Sequence, residues 1–111
     1  MEIRYSNKKL EKQCTDIRQA KRDFEQNVAI RLHKAIFFIE AAESLESVIN
    51  FGPMRFHKLK GNYKGFYAVD IAGKKCSYRL LLSFDESDTD VFPHAKTITL
   101  VQVEEVSNHY E

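Results

Sequence analysis

Apolar residues recur at steps of three and four from Ile17 to Ala42, and this is the strongest local pattern in the chain. Ile17, Ala20, Phe24, Val28, Leu32, Ala35, Ile36, Ile39 and Ala42 fall on one stripe, which predicts a single helix about seven turns long. Asp16, with Gln19 three residues later, resembles a capping box at its start. Phe37 and Phe38 widen the apolar surface beyond the stripe. Either the helix packs on both a sheet and a first helix, or part of this surface is reserved for a protein partner. Leu45, Val48 and Ile49 extend the helical region by a further turn. Gly52-Pro53 ends it, because proline lacks a donor and restricts the residue before it.

Ahead of this helix, Ile3 and Tyr5 alternate with Glu2 and Arg4, the period of a short strand. Ser6-Asn7 offers an N-cap for a first helix from about Lys8, which buries Leu10 and Cys14. After Pro53 the period changes to that of strands. Residues 56–59 form one, ending at the turn Lys60-Gly61-Asn62, where Gly and Asn tolerate positive φ. Residues 66–71 form the next and stop at Ala72-Gly73-Lys74. Residues 77–84 carry a nearly continuous apolar run, which favours a central strand buried on both faces and sets Arg79 as a cation in the middle of a sheet. The acidic stretch from Asp85 and the later Pro93 read as a loop over residues 85–96. Ile98, Leu100, Val101, Val103 and Val106 then mark a last strand, with Glu104 and Glu105 at its exit. A strand, two helices and three or four antiparallel strands imply an α+β fold, with two helices packed on one face of a mainly antiparallel twisted sheet.

Length fits one domain over residues 1–111, large enough for a single modest core. No apolar run reaches the ~20 residues of a membrane span, and Met-Glu-Ile-Arg-Tyr lacks the pattern of a signal peptide, so a cytoplasmic protein without membrane contact is expected. Cys14 and Cys76 lie far apart and are expected as free thiols. The net charge of +1 conceals an asymmetry. Residues 1–84 hold sixteen bases and nine acids, a balance of +7, whereas residues 85–111 hold one base and seven acids, a balance of −6. Within residues 55–79 the seven bases Arg55, Lys58, Lys60, Lys64, Lys74, Lys75 and Arg79 face one acid, Asp70, giving +6. Such density on a sheet suggests a polyanionic partner, unless the acidic end folds back and screens it.

Several of these residues have two readings. His57 is either a hydrogen-bonded histidine at a strand end or an acid–base group that titrates near neutrality. Arg79 suits a phosphate contact, because a guanidinium stays charged and holds two oxygens at once; its alternative is an ion pair with Asp70 or Glu104. A charge in an apolar strand lowers stability unless the site uses it, so replacing Arg79 by Leu is expected to leave folding intact or improved. Lys58, Lys60 and Lys64 either steer a polyanion or form a solvated edge that resists aggregation. His33 and His94 make no metal spacing with His57 or His109, and no metal site is expected.

The stretch Gln19-Ala20-Lys21-Arg22-Asp23-Phe24, then Arg31-Leu32, Ala41-Ala42-Glu43-Ser44-Leu45, Arg55-Phe56-His57-Lys58-Leu59-Lys60-Gly61, Tyr78-Arg79-Leu80 and a closing His109-Tyr110 resembles the HigB branch of the RelE/ParE toxin superfamily. The resemblance covers nearly the whole chain and is most specific over residues 55–84. It implies the toxin of a type II toxin–antitoxin pair: an endoribonuclease that cuts mRNA on the translating ribosome, without metal or cofactor. A HigA-like helix-turn-helix antitoxin would neutralise it, and DNA would be met only through the antitoxin complex. His57 and Arg79 match positions of catalysis. His109 and Tyr110 match the closing cluster, as base, acid or stacking platform, with their order reversed and Asn108 where a carboxylate is expected. Arg55, Lys58, Lys60 and Lys64 would contact RNA or ribosome. ParE-like members offer the alternative, a toxin that poisons DNA gyrase by contact and needs no acid or base.

Overall fold

A computed structural model describes residues 1–71, 77–85 and 90–108. The predicted turn at Ala72-Gly73-Lys74, together with Cys76, lies outside them. Strand β1 spans Glu2–Tyr5 and is followed by helices α1 (Lys8–Thr15), α2 (Ile17–Asp23), α3 (Gln26–Ala41) and α4 (Leu45–Asn50). Strands β2 (His57–Lys58), β3 (Tyr67–Asp70), β4 (Arg79–Ser83) and β5 (Leu100–Ser107) complete the chain, with short 3-10 turns at Gly52–Met54, Gly61–Tyr63 and Phe92–His94.

The single long helix is corrected to two. Phe24 leaves the helical region at φ −132° and ψ 160°, and its N–H donates to the Ala20 carbonyl, closing α2. The side chains of Gln13 and Gln19 both donate to Asp23 and hold its carboxyl below the usual range. Phe24 thereby meets Tyr78 edge-on at 5.8 Å. No Gly or Pro marks this break, and the apolar steps run through it unaltered. Asp16 caps α2 through the Arg18 N–H, while the Gln19 side chain bonds Asp23, so the capping box is not reciprocal. The start of α1 is as the sequence implies, whereas Leu45–Asn50 forms the separate helix α4 and not a further turn of the long one. Asn7 accepts the Leu10 N–H at 2.8 Å, and Leu10 and Cys14 are buried. Burial pushes the Cys14 thiol up to about 12, which keeps it a neutral packing group.

The five strands lie in the order β1-β5-β4-β3-β2, parallel between β1 and β5 and antiparallel elsewhere. β4 is central and buried along nearly its whole length, as its apolar run predicts. One face of the sheet presents Val69, Leu80, Leu82, Val101 and Val103 to Leu32, Ile36 and Ile39 of α3 and to Leu45 and Val48 of α4. The other face carries a smaller cluster, Leu59, Ala68 and Leu81, with Tyr63 and Phe66 against it. A shift of register between Leu81 and Leu82 gives β5 one extra residue opposite β4. Between β2 and β3, Gly61 takes the positive φ expected of the turn, and Gly65 takes a second.

Candidate functional site

Strand pairing places two of the predicted residues, His57 and Arg79, on the same face of the sheet. His57 lies opposite Ala68, Asp70 lies opposite Arg79, and Arg79 in turn lies opposite Ser107. Ala68 and Asp70 are two residues apart, so His57, Asp70 and Arg79 belong to the face away from the helices. Lys58 and Tyr67 are the next pair and point to the opposite face. Lys58 is therefore separated from its neighbour His57, and its ammonium meets Asp90 at 3.3 Å. The Asp90 carboxyl is held below its ordinary range, first by the Phe92 N–H and then by Lys58. Part of the acidic end does fold back on the basic sheet.

Asp70 is the centre of this face. Its side chain is buried, with Oδ2 at 3.1 Å from Nη1 of Arg55 and Oδ1 at 3.9 Å from Nε of Arg79. Two guanidiniums thus converge on one buried carboxylate. The ion pair with Asp70, the less favoured reading of Arg79, is thus present. Glu104, the other candidate, bonds Ser83 Oγ and Gln102 Nε2.

Arg55 adopts φ 49° and ψ 51°, the sole non-glycine residue with positive φ among those described. Such a backbone costs about 1–2 kcal/mol for a residue with a Cβ. It follows from the chain's path: the 3-10 turn Gly52–Met54 closes with the Arg55 N–H donating to the Gly52 carbonyl, and β2 begins two residues later. The Arg55 carbonyl accepts from Nδ1 of His57 at 2.7 Å. A carbonyl can only accept, so Nδ1 carries a proton, and Nε2 is the ring nitrogen whose lone pair the neutral imidazole offers.

Lys60 and Lys64 are exposed at the two ends of the Gly61–Tyr63 turn. His109 and Tyr110 lie outside the described residues. His33 donates from Nε2 to the Gln13 carbonyl at 2.9 Å and ties α3 to α1. No group of His, Cys, Asp or Glu among the described residues could hold a metal ion, and none of the described helices is long and apolar enough to cross a membrane.

A second surface lies beside α3. Phe37 is 72% exposed, whereas Phe38 stacks on Phe51 at 4.6 Å. Phe38, Phe51, Pro53, Met54 and Ile71 line a groove of about 390 Å³ with the exposed cations Arg31 and Lys34. Asp70 lines it too, so the groove adjoins the charged cluster.

Sequence reasoning named Asp70 only as a possible partner of Arg79 and missed that it joins two arginines. The isolated acid within a +6 segment was the available signal. The left-handed backbone of Arg55 had none, because neither Gly nor Asn marks it.

Together these features define a mixed α+β domain with a RelE-like fold, its helices to one side of a five-stranded sheet and a charged cluster on the other. Among solved structures, a chain of the YoeB-YefM complex from Staphylococcus aureus has this fold. It matches at a TM-score of 0.53 and 17% identity, over 99% of this chain and 98% of that one. No family model and no curated protein sequence matches the chain. At this identity the likeness carries the fold, and chemistry must be argued from the residues.

Proposed function

We propose that this chain is the toxin of a type II toxin–antitoxin pair and acts as a metal-independent endoribonuclease on mRNA in the translating ribosome. The observation that carries the reading is the cluster on the open sheet face, where an imidazole with Nε2 available lies close to a carboxylate holding two guanidiniums. The full-length fold match to a chain of a toxin–antitoxin complex supports the system, and the HigB-like motifs support the branch.

RNA supplies its own nucleophile, the ribose 2′-OH. His57 Nε2 takes its proton, the 2′ oxygen attacks phosphorus, and Arg79 offsets the charge gathering on the phosphorane. The 5′ oxygen leaves with a proton from His109 or Tyr110, giving a 2′,3′-cyclic phosphate and a 5′-hydroxyl. Arg55, Lys58, Lys60 and Lys64 bind RNA or ribosome, with Lys58 exchanging its Asp90 contact for a phosphate. A HigA-like helix-turn-helix antitoxin covers the α3 groove and Phe37, and the pair meets DNA through that antitoxin. The site of action is the cytoplasm.

Expression of this chain alone is expected to arrest growth through translation. Pulse labelling tests it: protein synthesis should stop first, with transcripts cut within ribosome-occupied codons. DNA synthesis stopping first would instead identify a ParE-like gyrase poison, and no arrest at several-fold overexpression would end the toxin reading.

A further inference from the structure

The two arginines on Asp70 are not equivalent. The Arg79 side chain is 8% exposed and sits within the sheet, whereas that of Arg55 is 47% exposed. Arg55 gives Nη1 to Asp70, which anchors one end of its guanidinium while much of the fork still faces solvent. The same residue holds the imidazole, because its carbonyl accepts from Nδ1 of His57. A strained backbone at a site of this kind points to use rather than to packing, since packing alone is served at lower cost by glycine.

We propose that Arg55 is the guanidinium that meets the scissile phosphodiester, with Asp70 as its positioning residue. This rests on the ribonuclease reading and changes two roles within it: Arg55 passes from a steering charge to a catalytic residue, and Arg79 from the direct phosphorane contact to the charge behind Asp70. Arg55, Arg79 and Asp70 carry a net charge of +1, which one phosphodiester anion neutralises. Arg79 then acts largely from behind, as the counter-charge that holds the Asp70 side chain in the sheet. Phosphate contact and proton acceptor are set by one residue: the side chain of Arg55 grips the anion, and its carbonyl aims Nε2 of His57 at the adjoining 2′-OH. No atom of this arrangement needs to move far when RNA binds, the condition under which an electrostatic contact lowers a barrier most.

The deciding variant is Arg55→Gly, which suits the left-handed backbone, keeps the carbonyl for His57 and deletes the side chain that carries the guanidinium. Single-turnover mRNA cleavage at saturating programmed ribosomes should fall by ~100-fold or more, the size of losing one preorganised donor. The melting temperature should fall, because Asp70 is left with Arg79 alone, with relief of the left-handed backbone offsetting part of the loss, and guanidinium ion well below denaturing concentrations should restore part of the rate. Arg55→Lys should fall between the two, because it keeps the charge without the fork. Asp70→Asn should lower the rate at saturation without rescue by guanidinium. If Arg55→Gly cleaves within about threefold of wild type, or loses only affinity with the salt dependence of a steering lysine, the proposal is overturned. A loss that neither guanidinium nor lysine restores also counts against it. Should Arg55→Gly fold poorly, Arg55→Gln decides by the same rates. A wild-type protein that cleaves no mRNA on ribosomes sinks the ribonuclease reading itself and this inference with it, an outcome distinct from an active Arg55 variant.

Discussion

The two faces of the sheet solve different problems with the same strands. The helix-covered face is filled by aliphatic side chains from β3, β4, β5, α3 and α4, closed further by Phe84, Val91 and Ile98. The open face has three buried apolar residues and, beside them, Asp70 between Arg55 and Arg79. Each strand residue belongs to one face or the other because side chains alternate. Stability can therefore be concentrated on one side while the other holds charges that packing alone would not tolerate. A face of this second kind has few aliphatic contacts to lose and is tuned chiefly by its ion pairs.

The sharpest way to break the comparison is to remove the same volume from each face. Leu82→Ala, on the covered face, should cost about 2–5 kcal/mol in chemical denaturation, the range for deleting a fully buried leucine. Leu81→Ala, in the small cluster, should cost less, because its neighbours can collapse toward solvent. Equal losses would mean that the two faces are energetically alike.

Next in size is Arg79→Leu. The sequence alone leads one to expect intact or improved folding, but Asp70 reverses the sign. With one guanidinium gone, a buried carboxylate is left to Arg55, and stability should fall by up to about 3 kcal/mol, the lower end for breaking a buried pair. Adding Asp70→Leu to that variant should recover most of the loss. A single variant that melts as high as wild type would show the pair to be energetically silent. Cleavage by Arg79→Leu should fall by ~100-fold or more if its charge reaches the phosphorane.

A smaller effect separates the outer side of α3 from both faces. Phe37→Ser changes a side chain mostly in water, so folding should stay within about 0.5 kcal/mol of wild type. Affinity for the antitoxin, measured by titration calorimetry, should nonetheless weaken about tenfold if Phe37 is a central contact. Unchanged affinity would place the antitoxin elsewhere.

Smallest of all are the solvated charges. Lys60→Ala and Lys64→Ala should each lower the slope of ribosome affinity against salt by about one, with little loss in the chemical step. In acid, Asp23 and Asp90 have depressed folded-state pKa values, so their contribution is present above the ordinary carboxylate value of 3.8 and is lost as pH falls through the folded values. Asp90→Asn should flatten the melting temperature against pH in that window, and an unaltered profile would show that neither the Phe92 N–H nor Lys58 favours the charged carboxyl enough to affect folding.

The sequence by itself determined the element types, the central place of β4 and the basic stretch that becomes one side of the sheet. These follow from local period, run length and composition, which are properties of neighbouring residues. It also singled out His57 and Arg79. The tertiary structure alone decided where the long helix breaks, since Phe24 leaves α2 to meet Tyr78, more than fifty residues away. It decided that Lys58 turns from His57 to Asp90, because register and pleat fix a side chain's face only once the strand has partners. And it decided that Arg79 is tied to Asp70, and Asp70 to Arg55. That contact spans strands and a left-handed residue, and its energy exists only when burial removes the water that would otherwise screen it.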